Sequence, residues 1–387
     1  MRVVYAATAA LALAVGFTGE ALAQAAKGEP VRIPHVTTYS GPSAGWGETM
    51  SKAAQIAAAM INEKGGVHGR PLEFYKEDAP YDNMPNAMVT IKKIVRDPSV
   101  QFILDCGGAT TVVLAAHDLL AENKIPCFAF SSAGHWRVGK FNPYLFRLLP
   151  QVYTAMPVLM PKVVKKYNVK TVGMAFTNND EAPVANARVY RDLAKQFNLK
   201  LVEVSGQLKE PEYRAQVTKL KSEGINLIII SMQPEDAGQF VRQAREGGLN
   251  QPILGGVEIT DKHMKQFAQG KIGTAYTYGI FDPKDSRPYV QEFLGRFRKE
   301  VGRDPGAFEA ITGDAVFILA AIMNKAKKVD RESIRAAWAE TKTIQTFTGN
   351  VGWNGSGDAI REGVLIQTYD KDENIVNVPE SHWGAGS

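Results

Sequence analysis

Residues 101–134 read QFILDCGGATTVVLAAHDLLAENKIPCFAFSSAG, and this stretch decides the fold. Two short apolar runs, Gln101–Leu104 and Pro126–Phe130, are typical of buried strands, and the segment Thr110–Glu122 between them has a helical pattern. A helix that links two strands in this way makes them parallel neighbours in one sheet. The stretch therefore predicts a βαβ unit within an α/β fold.

The same alternation continues on both sides of this unit, in two series of about five strands that meet near Pro150. The predicted strands are Val31–Thr37, Leu72–Lys76, Gln101–Leu104, Pro126–Phe130 and Leu145–Arg147, then Thr171–Phe176, Lys200–Val204, Leu227–Ser231, Pro252–Leu254 and Ala275–Phe281. Three helices without intervening strands follow, and a strand pair, Val364–Tyr369 and Ile375–Val378, comes last. We therefore expect two α/β lobes followed by helices and a hairpin.

The N-terminus has the composition of a secretory signal peptide. Arg2 precedes an almost wholly apolar run from Val3 to Phe17, and Ala21-Leu22-Ala23 is a cleavage site of small residues. The run is too short for a membrane span, and no polar stripe breaks it as a buried helix would require. We expect residues 1–23 to be removed and the protein to be exported to the periplasm.

Composition and charge argue against a nucleic-acid partner. The 387 residues include 45 Lys and Arg against 40 Asp and Glu, and 45% are hydrophobic, which is typical of two or three compact domains. The densest basic runs, Lys162–Lys166 and Arg296–Lys299, lie in helical patterns and are typical of solvated helix faces.

Cys106 and Cys127 are the only cysteines, and in an exported protein a disulfide is the first possibility. The predicted strands argue against it, because Cys106 lies just past the end of one strand and Cys127 at the start of the next. Parallel neighbours would place the two residues at opposite ends of the sheet, more than ~7 Å apart. We therefore predict two free thiols.

The sequence offers no catalytic constellation. It contains neither a G-x-S-x-G nucleophile elbow nor a P-loop, and none of its six histidines has an i, i+4 partner of metal-ligand type. Gly107-Gly108 lacks the full dinucleotide-binding fingerprint. We predict neither an enzyme nor a metal or cofactor site.

Two donor-rich strand ends instead predict a site for a carboxylate. At Gly107–Thr111 a strand ends and a helix begins, and backbone N–H groups with the helix dipole favour an anion there. The next strand ends in Ser131-Ser132-Ala133-Gly134, and parallel strands bring both ends to one edge. The alternative is that Thr110 only caps its helix.

Three blocks of the sequence resemble one known family. Tyr39–Gly47 (YSGPSAGWG) resembles the "SGP" opening of periplasmic solute-binding proteins of the branched-chain amino acid type. Asn62–Leu72 and Gln239–Leu249 resemble that family's "IN-x-x-GG-x-x-G-x-x-L" and "RQAR-x-x-G" segments, and the likeness runs from about Val31 to Tyr369. Members are the ligand-capture subunits of ABC importers.

The resemblance implies a type I periplasmic binding protein fold, which has two Rossmann-like lobes joined by three crossovers and a ligand cleft between them. Lobe 1 would comprise residues 31–149 and 283–341, and lobe 2 residues 150–282 and 348–387. Trp46 would cover the ligand and Phe308 would line its apolar side, although either aromatic could equally belong to an ordinary core. The positions that would hold the ligand carboxylate are Ala109, Thr110, Thr111, Ser131, Ser132 and Ala133.

The second lobe departs from the family at the positions that recognise an ammonium group. Asn178–Glu181 stands where members have a Tyr, another Tyr is replaced within Ser231–Gln233, and the family's acid falls on Val257 or Glu258. A desolvated ammonium needs a carboxylate partner, which Glu258, Glu181 or Asp180 could supply. If none does, the ligand is a carboxylate without an amine, and aromatic acids are the natural alternative.

The sequence thus predicts the periplasmic substrate-binding subunit of an ABC uptake transporter. We expect it to capture a branched-chain or other apolar amino acid, with an aromatic carboxylate of the benzoate or cinnamate type as the alternative. An enzyme or a sensor domain on the same scaffold is the remote alternative. The expected partners are the small carboxylate ligand and the inner-membrane permease and ATPase subunits, without nucleic acid, cofactor or metal, and we expect a monomer.

Overall fold

A computed structural model describes residues 25–41, 44–130, 142–346, 348–353, 357–361 and 364–384. The predicted signal peptide, residues 1–23, and the predicted donors Ser131, Ser132 and Ala133 lie outside these ranges. Within them, strands alternate with helices in two successive series, as the apolar periodicity predicts.

The first series forms parallel strands with helices around them. The strands are β1 (Val31–Thr37), β2 (Leu72–Asp78), β3 (Leu104–Cys106), β4 (Cys127–Ala129) and β5 (Leu145–Arg147), and the helices are α1 (Ala44–Glu63), α2 (Met84–Arg96) and α3 (Thr110–Glu122). The strands pair in the order β2-β1-β3, and β4 pairs with β5. A parallel bridge between Ile103 and Cys127 joins the two groups, so all five strands end at the same edge.

The second series builds the other lobe. Its strands are β6 (Thr171–Thr177), β7 (Lys200–Gly206), β8 (Leu227–Ser231), β9 (Ile253–Gly255) and β10 (Ala275–Gly279), and its helices are α4 (Val152–Lys166), α5 (Glu181–Gln196), α6 (Arg214–Ser222), α7 (Pro234–Glu246) and α8 (Lys262–Ala268). These five strands are parallel, in the order β10-β9-β8-β6-β7. A short 3₁₀ turn, Val257–Thr260, follows β9.

The chain then returns to the first lobe through α9 (Pro288–Val301), α10 (Ala307–Lys325) and α11 (Arg331–Ala339). Both α9 and α10 pack against α1. By length and composition α10 could cross a membrane, but most of its residues are buried inside the protein, which is typical of a core helix. An unpredicted antiparallel sheet follows, made of β11 (Thr343–Thr346), β12 (Gly349–Trp353) and β13 (Ala359–Arg361).

The predicted hairpin at the end of the chain is present as β14 (Leu365–Tyr369) and β15 (Ile375–Asn377). It adds two antiparallel strands beside β10, which gives the second lobe a seven-stranded sheet. The chain therefore passes between the lobes three times. The buried ion pair between Arg147 and Asp358 ties the first crossover to the third, and Arg287 ties the second to the third by donating to the Thr346 carbonyl at 3.0 Å.

Cys106 and Cys127 form a disulfide, with Cα atoms 6.0 Å apart, so the prediction of two free thiols is wrong. Strand β3 lies later than predicted, and Asp105 within it adopts a left-handed φ of 60°. This interrupts the register of β3 on β1, while Cys127 lies opposite Ile103. The irregular strand brings Cys106 within reach of Cys127, whereas a regular strand would have carried it past.

Candidate ligand-binding cleft

The carboxyl ends of the strands of both lobes face a shared cavity. On the first lobe, the turn from β3 into α3 supplies Gly108, Ala109 and Thr110 to its lining. Gly108 has a φ of 72°, and a Cβ there would lie 2.7 Å from the Thr37 hydroxyl oxygen, so the turn requires glycine. The N-cap Ala109 has no side chain that could cap α3. The positive end of this helix dipole therefore faces the cavity, as an anion site requires.

A buried carboxyl group lies beneath this turn. Asp105 is fully buried, and burial raises its pKa to about 7, against the lowering effect of the Gly108 and Phe130 N–H groups. A group with that pKa carries only part of a negative charge near neutral pH. It therefore opposes a carboxylate at the α3 N-terminus less than an ordinary aspartate would.

Two aromatic rings form the apolar side of the cavity. Trp46 of α1 and Phe308 of α10 meet edge to face, with ring centroids 4.7 Å apart, and both line the cavity. The Thr49 hydroxyl of α1 donates to the Glu309 carboxylate of α10 at 2.8 Å and holds the two helices together beside the rings. This pair offers an apolar, rigid surface to a ligand side chain.

The second lobe lines the cavity from three strand ends and one helix. Ser231 ends β8 and is followed by Met232 and Gln233, Val257 and Glu258 follow β9, and Tyr278 lies near the end of β10. Ala182, Pro183 and Asn186 come from the start of α5. Among the described residues that line the cavity, Glu258 is the one with a charged side chain. Within the described lining, the second-lobe wall thus combines one acidic side chain with polar ones such as Asn186 and Gln233.

The environment of Glu258 is unusual for a carboxylate. Its side chain accepts a hydrogen bond from the Gly256 N–H at 2.9 Å, and burial raises its pKa to about 7. Two buried phenols, Tyr190 and Tyr278, lie beside it, and both have pKa values far above the usual range because of burial and the nearby carboxylate. A carboxylate in such a place is costly without a positive partner.

The other two candidate acids are placed differently. Asp180 caps α5 by accepting from the Ala182 N–H at 3.4 Å, and it accepts from the Gln233 amide at 2.6 Å. Glu181 begins α5 but is not among the lining residues. Of the three acids that could meet an ammonium group, Glu258 is therefore the one that the cavity wall contains.

The structure brings five of the predicted site residues to one cavity, namely Trp46, Ala109, Thr110, Glu258 and Phe308. Thr111 and Glu181 do not line it, and Ser131, Ser132 and Ala133 lie outside the described residues. The sequence reasoning missed Tyr81, which follows β2, and Tyr278, which lies near the end of β10. Both could have been found by applying the strand-edge rule to every strand rather than to two.

Within the described part of the chain, no group of three or more His, Cys, Asp or Glu residues is placed to hold a metal ion. The cavity has instead a helix N-terminus on one wall, a carboxylate on the other and aromatic rings beside them. Such an arrangement can bind a small molecule with separated negative, positive and apolar parts.

Comparisons with known proteins give a consistent result. The family model for periplasmic binding proteins matches residues 30–374. The Leu-, Ile-, Val-, Thr- and Ala-binding protein of Pseudomonas aeruginosa is 23% identical over 378 residues, 96% of each chain. The Leu/Ile/Val-binding protein of Escherichia coli K12 is 23% identical over 352 residues, covering 90% of this chain and 93% of that one.

Solved structures share the architecture. The branched-chain amino acid substrate-binding protein LivJ of Streptococcus pneumoniae, in complex with isoleucine, has a TM-score of 0.78 at 21% identity and covers 90% of this chain and 99% of its own. A solute-binding protein of R. palustris, in complex with 4-hydroxybenzoate, has a TM-score of 0.79 at 18% identity and covers 92% and 100%. These likenesses show the two-lobed type I fold.

Proposed function

The chain belongs to the periplasmic binding protein family, and we propose that it is the substrate-binding subunit of an ABC uptake transporter for an apolar amino acid of the branched-chain type. The observation that carries this proposal is the position of Glu258 in the same cavity as the N-terminus of α3. A zwitterion has a carboxylate for the helix end and an ammonium for the acid, so both walls of the cavity are satisfied together.

The remaining part of the ligand would lie against the aromatic pair Trp46 and Phe308 and against Met232 and Val257. An aliphatic side chain gains free energy from leaving water for such a surface, at roughly 25 cal/mol for each Å² that is buried. The charged end of an acidic or basic ligand side chain would have no partner on these four side chains, which favours leucine, isoleucine or valine over acidic and basic amino acids.

An aromatic carboxylate is the second candidate. Its carboxylate would occupy the same helix end, and the raised pKa of Glu258 allows that side chain to face a neutral hydroxyl group on the ring. An amine-free anion would nevertheless leave Glu258, the one charged side chain among the described lining residues, without a positive partner. We therefore favour the amino acid.

We further propose that residues 1–23 direct export to the periplasm and are removed. The mature protein would be a monomer that binds its ligand without catalysing a reaction on it. Its partners would be an inner-membrane permease and ATPase. Lobe 1 would comprise residues 31–149 and 283–341, and lobe 2 residues 150–282 and 348–387. Ligand would favour the closed state, because its two charged ends meet their partners on different lobes only when the cleft is closed.

A thermal-shift screen tests the ligand. L-leucine, L-isoleucine, L-valine and L-phenylalanine are compared with benzoate, cinnamate and para-hydroxybenzoate at equal concentrations, with D-leucine as a matched control. A ligand that binds the folded state raises the midpoint of unfolding in proportion to RT ln(1 + [L]/Kd). We expect stabilisation by the branched-chain L-amino acids. Stabilisation by the aromatic acids alone, or by no compound of either class, would overturn the proposal.

A further inference from the structure

Two loops from different lobes meet at the mouth of the cleft. Asp82 lies in the loop between β2 and α2 of the first lobe, and Lys209 lies in the loop between β7 and α6 of the second. The Lys209 Nζ donates to the Asp82 Oδ2 at 3.0 Å. The two residues are 127 positions apart in sequence, so this ion pair is a contact between lobes rather than a local one.

The loop that carries Lys209 is fixed to its own lobe through the backbone. Lys209 adopts a left-handed φ of 65°, and its N–H lies 3.1 Å from each carboxylate oxygen of Asp236 in the first turn of α7. The N–H of the preceding Leu208 donates to the Asn179 side chain at 2.7 Å. The left-handed backbone and these two contacts fix the position of the Lys209 Cα, from which the side chain extends to Asp82.

The loop that carries Asp82 is also fixed to its lobe. The N–H of Tyr81 donates to the Thr38 hydroxyl at 3.3 Å, and the N–H of Ala79 donates to the Thr37 carbonyl of β1 at 2.8 Å. Attraction or repulsion between Asp82 and Lys209 therefore moves the two lobes as rigid bodies, because neither loop can shift by itself without losing its own hydrogen bonds.

The pair is next to the ligand cavity but does not line it. Tyr81, the neighbour of Asp82, lines both the ligand cavity and an adjoining groove, which Lys209 also lines. Neither Asp82 nor Lys209 is among the residues that line the ligand cavity. Any influence of the pair on affinity must therefore act through closure of the lobes and not through contact with ligand.

We propose that Asp82 and Lys209 form a latch that stabilises the closed state of the two lobes. This inference rests on the proposed function as a binding protein that closes on its ligand. The side chains of Asp82 and Lys209 are 26% and 55% exposed, so the pair is partly screened by water and salt. Reversing one charge replaces attraction by repulsion, and we expect a ligand dissociation rate about two- to tenfold higher.

The test uses Asp82→Lys, Lys209→Asp and the double exchange, which restores an ion pair of opposite polarity. Spin labels on Val89→Cys and Ala215→Cys report the distance between α2 of one lobe and α6 of the other, because both positions are exposed and both native cysteines are bonded to each other. Lys200→Glu is the matched control, since Lys200 pairs with Glu223 at 2.7 Å within the second lobe.

Without ligand, we expect each single reversal to move the interlobe distance distribution toward longer distances, and the double exchange and wild type to agree. L-leucine should dissociate faster from the single variants, and this difference should shrink in high salt. Equal distance distributions in all four proteins, or failure of the double exchange to restore the wild-type distribution, would overturn the latch. Because the distance measurement needs no ligand, a protein that ignores leucine would refute the proposed ligand and leave the latch testable.

Discussion

The two walls of the cleft would bind a charged ligand with different kinds of group. On the first lobe, the turn at Gly107–Thr110 offers the end of a helix, a feature of the backbone that any short sequence with the right glycines can build. On the second lobe, Glu258 is a side chain whose environment depends on Tyr190 of α5 and Tyr278 of β10. The first wall is a local structure, whereas the second exists only after distant strands and helices have come together.

Removing the charge of Glu258 from the second wall should have the largest effect, a loss of leucine affinity. Glu258→Gln keeps the size of the side chain but leaves a bound ammonium without its partner. Breaking one side of a buried ion pair typically costs about 3–5 kcal/mol, so calorimetry should show leucine affinity reduced by more than about a hundredfold. Glu181→Gln is the matched control outside the cavity lining and should bind as wild type does. Unchanged leucine affinity in Glu258→Gln would exclude its role.

Removing the disulfide behind the first wall should have the next largest effect, and this effect is on the free energy of unfolding rather than on ligand affinity. Closing a loop of about twenty residues stabilises a protein by about 2–4 kcal/mol relative to the open chain. The double variant Cys106→Ala and Cys127→Ala should lose about this much in the free energy of unfolding, measured by denaturant titration. Wild-type protein in reducing buffer should behave similarly. A thiol assay that finds two reactive groups in unreduced, unfolded protein would contradict the bond.

Protonation of the acidic groups in the two walls should change leucine affinity in opposite directions. Below about pH 7 Glu258 holds a proton that a bound ammonium must displace, so leucine affinity should fall about tenfold for each further pH unit and stay level above pH 7. Protonation of Asp105 over the same range removes a negative charge beneath the carboxylate site and acts the other way. Since Glu258 lines the cavity and Asp105 is buried beneath the turn, the fall should dominate.

The variant Glu258→Gln isolates the two contributions. Without the titrating glutamate, the loss of affinity toward acid should disappear and leave only the smaller, opposite effect of Asp105. Binding measured by calorimetry from pH 5 to pH 8 separates these cases. A wild-type affinity that rises toward acid would show that Glu258 does not face the ammonium.

The smallest of these effects is expected at the first wall. Thr110→Val removes a hydroxyl group at nearly constant size, and loss of a hydrogen bond to a charged group should weaken binding about ten- to a hundredfold. The effect is smaller than at Glu258 because the backbone of the turn and the helix dipole remain. Thr111→Val is the matched control, because Thr111 does not line the cavity. Equal affinities for both variants and wild type would remove Thr110 from the site.

The sequence predicts one part of the first wall, the turn into α3, because the signal for that turn is contiguous. Gly107-Gly108 between a strand and a helix indicates a tight turn at a helix N-terminus, and the structure places Ala109 and Thr110 in the cavity. For the second wall, local patterns contain no information on which side chains meet Glu258. Tyr190 lies 68 positions upstream in the chain, and only the packing of α5 against the sheet brings it near.

The error over the cysteines has a similar origin. Apolar periodicity correctly predicts that strands precede and follow α3, but it carries no information on a single left-handed residue within a strand. The positive φ of Asp105 interrupts the pairing of β3 and changes where Cys106 lies. The small sheet β11–β13 was missed because its strands are short and only partly buried, so they lack a clear alternation of apolar residues.

The most direct test of the two-walled site is a calorimetric titration with L-leucine and two analogues that share its branched skeleton. Isocaproate lacks the ammonium group, and isoamylamine lacks the carboxylate. If each wall binds one end of the ligand, leucine should bind and each analogue should bind at least about a hundredfold more weakly. Isocaproate that binds as tightly as leucine, or benzoate that binds while leucine does not, would contradict the account.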